Sequence, residues 1–262
     1  LHLLSRRQRQ MCIRDRVVSR PIIGIEPNPG TFLYSVFPMI RTAILVDGGF
    51  YRRRAQACLG EKTAQERAEE LIQYCHRHIK RFRHEEALLY RIFYYDCPPI
   101  EKKVYHPLLQ KTVDFSKTDL YKWTNEFFEE LRKKRKVALR LGKLADEQAK
   151  YNVRPEVFRK ILNGTKSMEE LTEKDFFLNL EQKEVDMKIG LDISSLAYKK
   201  QVDRIILISG DSDFVPAAKM ARREGIDFIL DPLFNHIKQD LYEHIDGLFT
   251  CDQRYRPVEK NV

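Results

Sequence analysis

An α/β fold organised around a parallel sheet is predicted by three features of this 262-residue chain. Short apolar runs rich in β-branched residues recur along it, amphipathic helical patterns separate them, and two of the runs end in Asp beside Gly. Strands alternating with helices favour parallel pairing through crossover connections. The run Ile205-Ile206-Leu207-Ile208 has no polar face, as expected of a strand covered on both sides. It leads into Ser209-Gly210-Asp211-Ser212-Asp213-Phe214, which puts two carboxylates at the carboxyl end of a parallel strand, the edge where open α/β sheets place ligands.

Strands are expected over 42–47, 87–95, 137–144, 204–209 and 226–230, and helices over about 63–82, 118–136, 186–200, 213–224 and 237–244. The first strand, Thr42-Ala43-Ile44-Leu45-Val46, ends in Asp47-Gly48-Gly49, where the glycines permit a sharp turn or close approach to a ligand. The second is aromatic (Tyr90, Phe93, Tyr94, Tyr95), which suits core packing better than base stacking, and it ends at Asp96, read as a turn residue. Residues 144–184 read as a charged insertion with a turn at Asn163-Gly164. Then Val185, Ile189, Ile193, Leu196 and Ala197 recur at helical spacing. Asp186 falls at the start of that helix, where the helix dipole alone would explain it. Asp192 lies six residues on, about 240° further round, so the two do not share one metal directly. Asp231-Pro232 after the last strand reads as a simple turn, and His236 as a helix-entry residue.

Asp211 and Asp213 repel each other unless something positive lies between them, and a divalent cation is the simplest such group because hard cations take carboxylate oxygens. The plainer reading is a helix cap, which Asp often forms. Asp47 alone is more often a turn residue than a ligand; its weight comes from repeating the pattern of Asp211.

The order Val46-Asp47-Gly48, then Lys183-x-Val185-Asp186 with Asp192, then Ser209-Gly210-Asp211-Ser212-Asp213-Phe214 resembles the NYN domains of the LabA-like group, within the PIN-like nuclease superfamily. The resemblance covers roughly 39–247 and implies a three-layer, Rossmann-like α/β/α sandwich with a mostly parallel sheet. It also implies Mg²⁺ or Mn²⁺ held for RNA cleavage by Asp47, Asp186, Asp211 and Asp213, with Asp192, Ser209 and Lys183 as supporting residues around them. Many such domains carry Asn three residues after the first Asp; Phe50 stands there in this chain, followed by Tyr51, and a phenyl ring cannot orient a nucleophile or a phosphate as an amide could.

The chemistry is consistent with the residues themselves. Phosphodiester hydrolysis needs a water made nucleophilic near neutral pH and a centre for developing charge; carboxylate-bound divalent ions supply both, and a pair of them stands ~3.5–4 Å apart. A Walker-type loop, H-E-x-x-H and G-x-S-x-G are all missing from the sequence, and Gly190 and Gly210 form no dinucleotide fingerprint.

The chain carries 47 Lys+Arg against 38 Asp+Glu, a formal net charge of +9. The basic residues are clumped: Arg52-Arg53-Arg54, 76–84, 132–136, Lys199-Lys200 and Arg222-Arg223. Such groups bind phosphate backbones, although any one cluster is more often a solvated face. Arg52, Arg53 and Arg54 are the expected RNA contacts because they follow Asp47 directly.

Residues 1–38 are set apart. The stretch 6–16 reads as a translated sequencing-adapter remnant, with 21–38 as upstream sequence and a start at Met39; an Arg-rich organellar presequence is the alternative. The 224 residues 39–262 suffice for one domain with a sizeable core. That domain is expected over 39–247, with a tail over 248–262. The five cysteines (Cys12, Cys58, Cys75, Cys97, Cys251) are dispersed and odd in number, as expected of reduced thiols in the cytoplasm. No apolar run approaches the ~20 residues of a membrane span. The expected partner is RNA, with self-association as a secondary expectation. Three functions remain open: a metal-dependent ribonuclease, a catalytically silent RNA-binding module of the same fold, and a metal-dependent phosphatase.

Overall fold

The computed structural model describes residues 39–82, 86–145, 147, 149–180 and 182–256, all within one compact unit. The expectations for residues 1–38, and for Arg83 and His84 of the second basic cluster, lie outside the described residues.

Six parallel strands form the central sheet: β1 (Ile40–Asp47), β2 (Ala87–Asp96), β5 (Val137–Leu141), β10 (Arg204–Ile208), β11 (Asp227–Asp231) and β12 (Gly247–Leu248). Their order is β12-β11-β10-β1-β2-β5. Side chains alternate faces along a strand, and here both faces are apolar. Ala43, Leu45, Ile205 and Leu207 enter one core; Ile44, Val46, Ile206 and Ile208 enter the other. Each of the Val, Leu and Ile side chains among them contributes roughly 1.5–3 kcal/mol by leaving water.

The first core is covered by α5 (Val185–Tyr198) and α6 (Val215–Arg223), the second by α1 (Gly48–Leu59), α2 (Ala64–Arg81) and α3 (Asp119–Arg132). This is the three-layer α/β/α sandwich expected from the sequence. Helix starts follow local chemistry. Thr63 and Glu66 close a capping box on α2, and Thr118 caps α3. The strand expected over 137–144 divides at Gly142 into β5 and β6 (Lys143–Leu144).

One central helix was not foreseen. Gly48-Gly49 read as a turn, yet both residues open α1, capped by Asp47. Gly48 is required there because a β-carbon would stand 2.5 Å from the Tyr94 ring and 2.6 Å from the Tyr95 carbonyl.

The segment 144–184 builds small antiparallel ladders: β6 with β9 (Gln182–Lys183), and β7 (Lys150–Val153) with β8 (Phe176–Asn179), with α4 (Pro155–Leu162) between β7 and β8. It meets the hairpin of β3 (Lys103–His106) and β4 (Lys111–Asp114) through aromatic packing. The His106 ring lies 4.2 Å from Tyr151 and 5.3 Å from Phe176, centroid to centroid. At the other end, α7 is short (Gln239–Tyr242) and residues 248–256 stay packed: Tyr255 is fully buried, and its carbonyl accepts from Arg54 Nη2 at 3.0 Å. No helix among the described residues is long and apolar enough to cross a membrane.

Candidate active site

Because the sheet is parallel, the carboxyl ends of β1, β2, β10 and β11 share one edge. Asp47 ends β1. Asp211 and Asp213 follow β10 within the 3₁₀ turn that leads into α6. Helix α5 starts at this edge and returns along the sheet to feed β10, which carries Asp186 to the same place.

The plainer reading of a helix cap, made for Asp211 or Asp213, holds for Asp211, and Asp47, read as a turn residue, caps a helix as well. Asp47 Oδ1 accepts from the Phe50 amide at 3.0 Å, and Asp211 Oδ1 accepts from the Asp213 amide at 3.0 Å. Asp47 is also held by the Ser209 hydroxyl, which donates to Oδ2 at 3.2 Å from the end of β10. Asp186, Asp211 and Asp213 face solvent, whereas Asp47 is half-buried.

The four influence one another. Burial raises the Asp47 carboxyl above its ordinary range; the Phe50 amide and Ser209 hydroxyl pull it back, the Asp186 charge pushes it up, and Arg53 pulls it down. Asp186 is raised by loss of hydration on this crowded edge, then by the like charges of Asp211 and Asp213, although one side of it is open to water. In donor chemistry the set suits a hard divalent cation, being all carboxylate and hydroxyl oxygen. As the side chains lie, no three His, Cys, Asp or Glu among the described residues are grouped as an ion cage. Two of the carboxylates are turned onto helix-cap amides.

The supporting residues separate. Ser209 adjoins Asp47. Lys183 belongs to the β6–β9 ladder. Asp192 lies further down α5, accepting from Tyr95 Oη at 2.8 Å and from Arg140 Nε at 3.0 Å, a bracing role consistent with its angular offset from Asp186.

The arginine triplet also divides. Arg52 Nη2 donates to Asp96 at 2.9 Å, and Arg54 Nη2 donates to the Leu233 carbonyl at 2.8 Å. Both are tied into the fold, the first because Asp96 is only 1% exposed and needs a counter-charge. Arg53 alone of the three is exposed, and it acts on Asp47. The 132–136 cluster behaves as a solvated face: Arg132 pairs with Glu129, Lys133 with Glu130 and Lys134 with Glu69.

Two polar side chains near the edge had no clear signal in the sequence. The Asn235 amide nitrogen would lie 3.4 Å from a β-carbon on Gly210, and Gln182 Oε1 3.6 Å from one on Gly49. Asn235 arrives through a strained turn, with φ of +48° at Leu233 and +59° at Phe234 and an Asn235 N–H to Pro232 carbonyl bond of 2.8 Å. Asp231 anchors that turn, accepting from the Leu233 amide, Thr250 Oγ1, His78 Nε2 and Tyr74 Oη while fully buried. Asp231 also ends a strand, but every contact it makes is internal to the fold.

A family model described as the NYN domain matches residues 113–243. Asp186, Asp211 and Asp213 fall inside the match, and Asp47 and Arg53 lie upstream of it. No curated protein matches. Among solved structures, a protein of unknown function from Vibrio parahaemolyticus aligns at 16% identity and TM-score 0.44, over 82% of this chain and 95% of that one. A likeness of that degree says nothing about the site.

Proposed function

The chain belongs to the NYN domain family, and we propose that it is a metal-dependent ribonuclease of the LabA-like group, hydrolysing RNA phosphodiester bonds. One observation carries this reading: carboxylates from three separate stretches of chain, Asp47, Asp186, and Asp211 with Asp213, meet at one sheet edge and raise or are raised by one another's charge.

Asp47, fixed by the Phe50 amide and the Ser209 hydroxyl, is the rigid ligand of the set. Asp186, Asp211 and Asp213 are the solvent-facing ligands that would close on Mg²⁺ or Mn²⁺. When bound, such an ion supplies an acidified water and a positive centre for phosphoryl oxygens. Arg53 meets the approaching phosphate, since it is exposed and close enough to Asp47 to lower its carboxyl. RNA as the partner and a cytoplasmic setting belong to this same reading.

A second reading has its own support. The capping of Asp47 and Asp211, with no three-ligand cage as the side chains lie, favours an RNA-binding module that does not cut. The two readings separate in one assay. Metal-stripped protein is incubated with mixed single-stranded and structured RNA in Mn²⁺, Mg²⁺ or EDTA, beside the Asp211→Asn variant. Cutting that needs metal and is lost in the variant supports the ribonuclease; salt-sensitive RNA retention without cutting supports the binding module.

A further inference from the structure

A groove of about 440 Å³ lies between α5 and α6, beside the carboxylate edge. That volume falls in the lower part of the ~300–1,000 Å³ range of small-ligand pockets. Asp186 and Asp213 line it where it adjoins the edge, and Met187, Leu191 and Met220 give it apolar surface. Met187 is 64% exposed and Leu191 61%, four residues apart and so neighbours on the face that α5 does not bury. Gly190 keeps the groove open: a β-carbon there would meet nothing within 4 Å.

The charge pattern restricts the occupant. No Lys or Arg lines the groove, so beyond Asp186 and Asp213 at the edge it holds no charged group to seat a phosphate. The Ser194 hydroxyl in the lining already donates to the Gly190 carbonyl at 2.8 Å. An uncharged flat ring with N–H donors suits both surfaces. Its face lies on adaptable thioethers, and its amino or ring N–H groups turn toward the oxygens of Asp186 and Asp213 that a bound ion would leave free. A second copy of the chain suits the groove less, because a two-fold contact would gather Asp186 and Asp213 of both copies in apolar surroundings.

We propose that this groove is a nucleobase subsite, which takes one unstacked base of an RNA strand whose phosphate lies at the carboxylate edge. The inference rests on the ribonuclease reading and gives its substrate class: the strand must be unpaired at that base, since a base held in a duplex cannot enter.

The test uses the full chain with ¹³C-labelled methionine methyls. Five methionines are present, of which Met187 and Met220 line the groove. Adenosine and cytidine, which carry no phosphate, should shift those two methyls and leave Met168 unmoved. Gly190→Phe fills the groove while preserving the carboxylates, and a glycine in a helix interior is readily replaced. In this variant the nucleoside shifts should vanish, and KM for single-stranded RNA should rise about 10-fold or more. Wild-type methyls that ignore nucleosides, or a variant cutting single strands with unchanged KM, overturn the subsite. Nucleoside shifts at Met187 and Met220 in a chain that cuts no RNA uphold the subsite and reject the ribonuclease. A dimer that Gly190→Phe dissociates, with no nucleoside shift, assigns the groove to a second copy and overturns the proposal.

Discussion

Ser209 Oγ stands 3.2 Å from Asp47 Oδ2, a hydrogen bond between residues 162 positions apart that joins the end of β10 to the end of β1. The same hydroxyl accepts from the Asp211 amide at 3.3 Å. One small buried side chain thus sets two of the four carboxylates relative to each other.

Ser209→Ala removes a donor that favours the ionised form of Asp47. The Asp47 carboxyl then rises further above its ordinary range. The acid limb of the pH–activity profile is expected to move to higher pH, at a stability cost of about 1 kcal/mol. A profile superimposable on the wild type would separate Asp47 from the chemistry.

Neighbouring arginines are expected to behave oppositely. Arg52→Ala leaves Asp96 buried without its counter-charge and costs about 3–5 kcal/mol, read as a fall in denaturation midpoint. Arg53→Ala costs little stability. It weakens RNA retention and lowers the slope of log affinity against log salt by about one phosphate contact. If Arg52→Ala is as stable as wild type, the Asp96 pairing is not what holds it.

Asp47 and Asp231 both end strands, yet the predicted consequences of Asp→Asn differ. At Asp231, donors from Tyr74, His78 and Thr250 converge on a carboxylate with no exposure, so Asp231→Asn destabilises by about 1–3 kcal/mol. The folded fraction should keep its activity. Asp47→Asn should abolish activity with a smaller loss of stability. Thermal melts and single-turnover cleavage on both variants check the pair.

Asp47 and Asp186 are both held above the ordinary carboxylate range, so the folded state binds their protons more firmly than the unfolded state. Their contribution to stability is therefore greatest below the ordinary carboxylate pKa and declines as pH rises through the raised values. Asp186→Asn removes one share of that decline. Its Tm at pH 7 and low salt is expected to exceed the wild type by up to about 2 °C, a gain of which 0.5 M salt screens only the share owed to Asp211 and Asp213. Stability gained together with activity lost is the usual sign of a functional charge cluster. A Tm below the wild type at both salts would contradict it.

Much of this was legible in the sequence where the signal is local. Ile205–Ile208 announced a doubly covered strand, and Ser209–Phe214 placed two carboxylates at its end. The spacing from Val185 to Ala197 gave α5 and the orientation of Asp186. What stayed hidden depends on long-range partners. Gly48-Gly49 looks like a turn until Tyr94 and Tyr95 are seen against Gly48, where a β-carbon has no room as α1 packs on β2. Arg52 and Arg54 resemble Arg53 in the sequence; only Asp96, Leu233 and Tyr255 distinguish them. The buried hub at Asp231 draws on Tyr74 and His78, more than 150 positions away, which no local pattern could supply.

The central claim is that Asp47, Asp186, Asp211 and Asp213 form one metal site, and a Mn²⁺ titration followed by electron paramagnetic resonance tests it without needing a substrate. Wild-type chain, Asp186→Asn and Asp211→Asn are compared at pH 7.5. Saturable binding of one or two Mn²⁺ is predicted, weakened at least tenfold by either substitution. A bound ion at 100 times its Kd should also stabilise the wild type by ~2.7 kcal/mol. Binding that is absent in the wild type, or unchanged in both variants, would contradict the account.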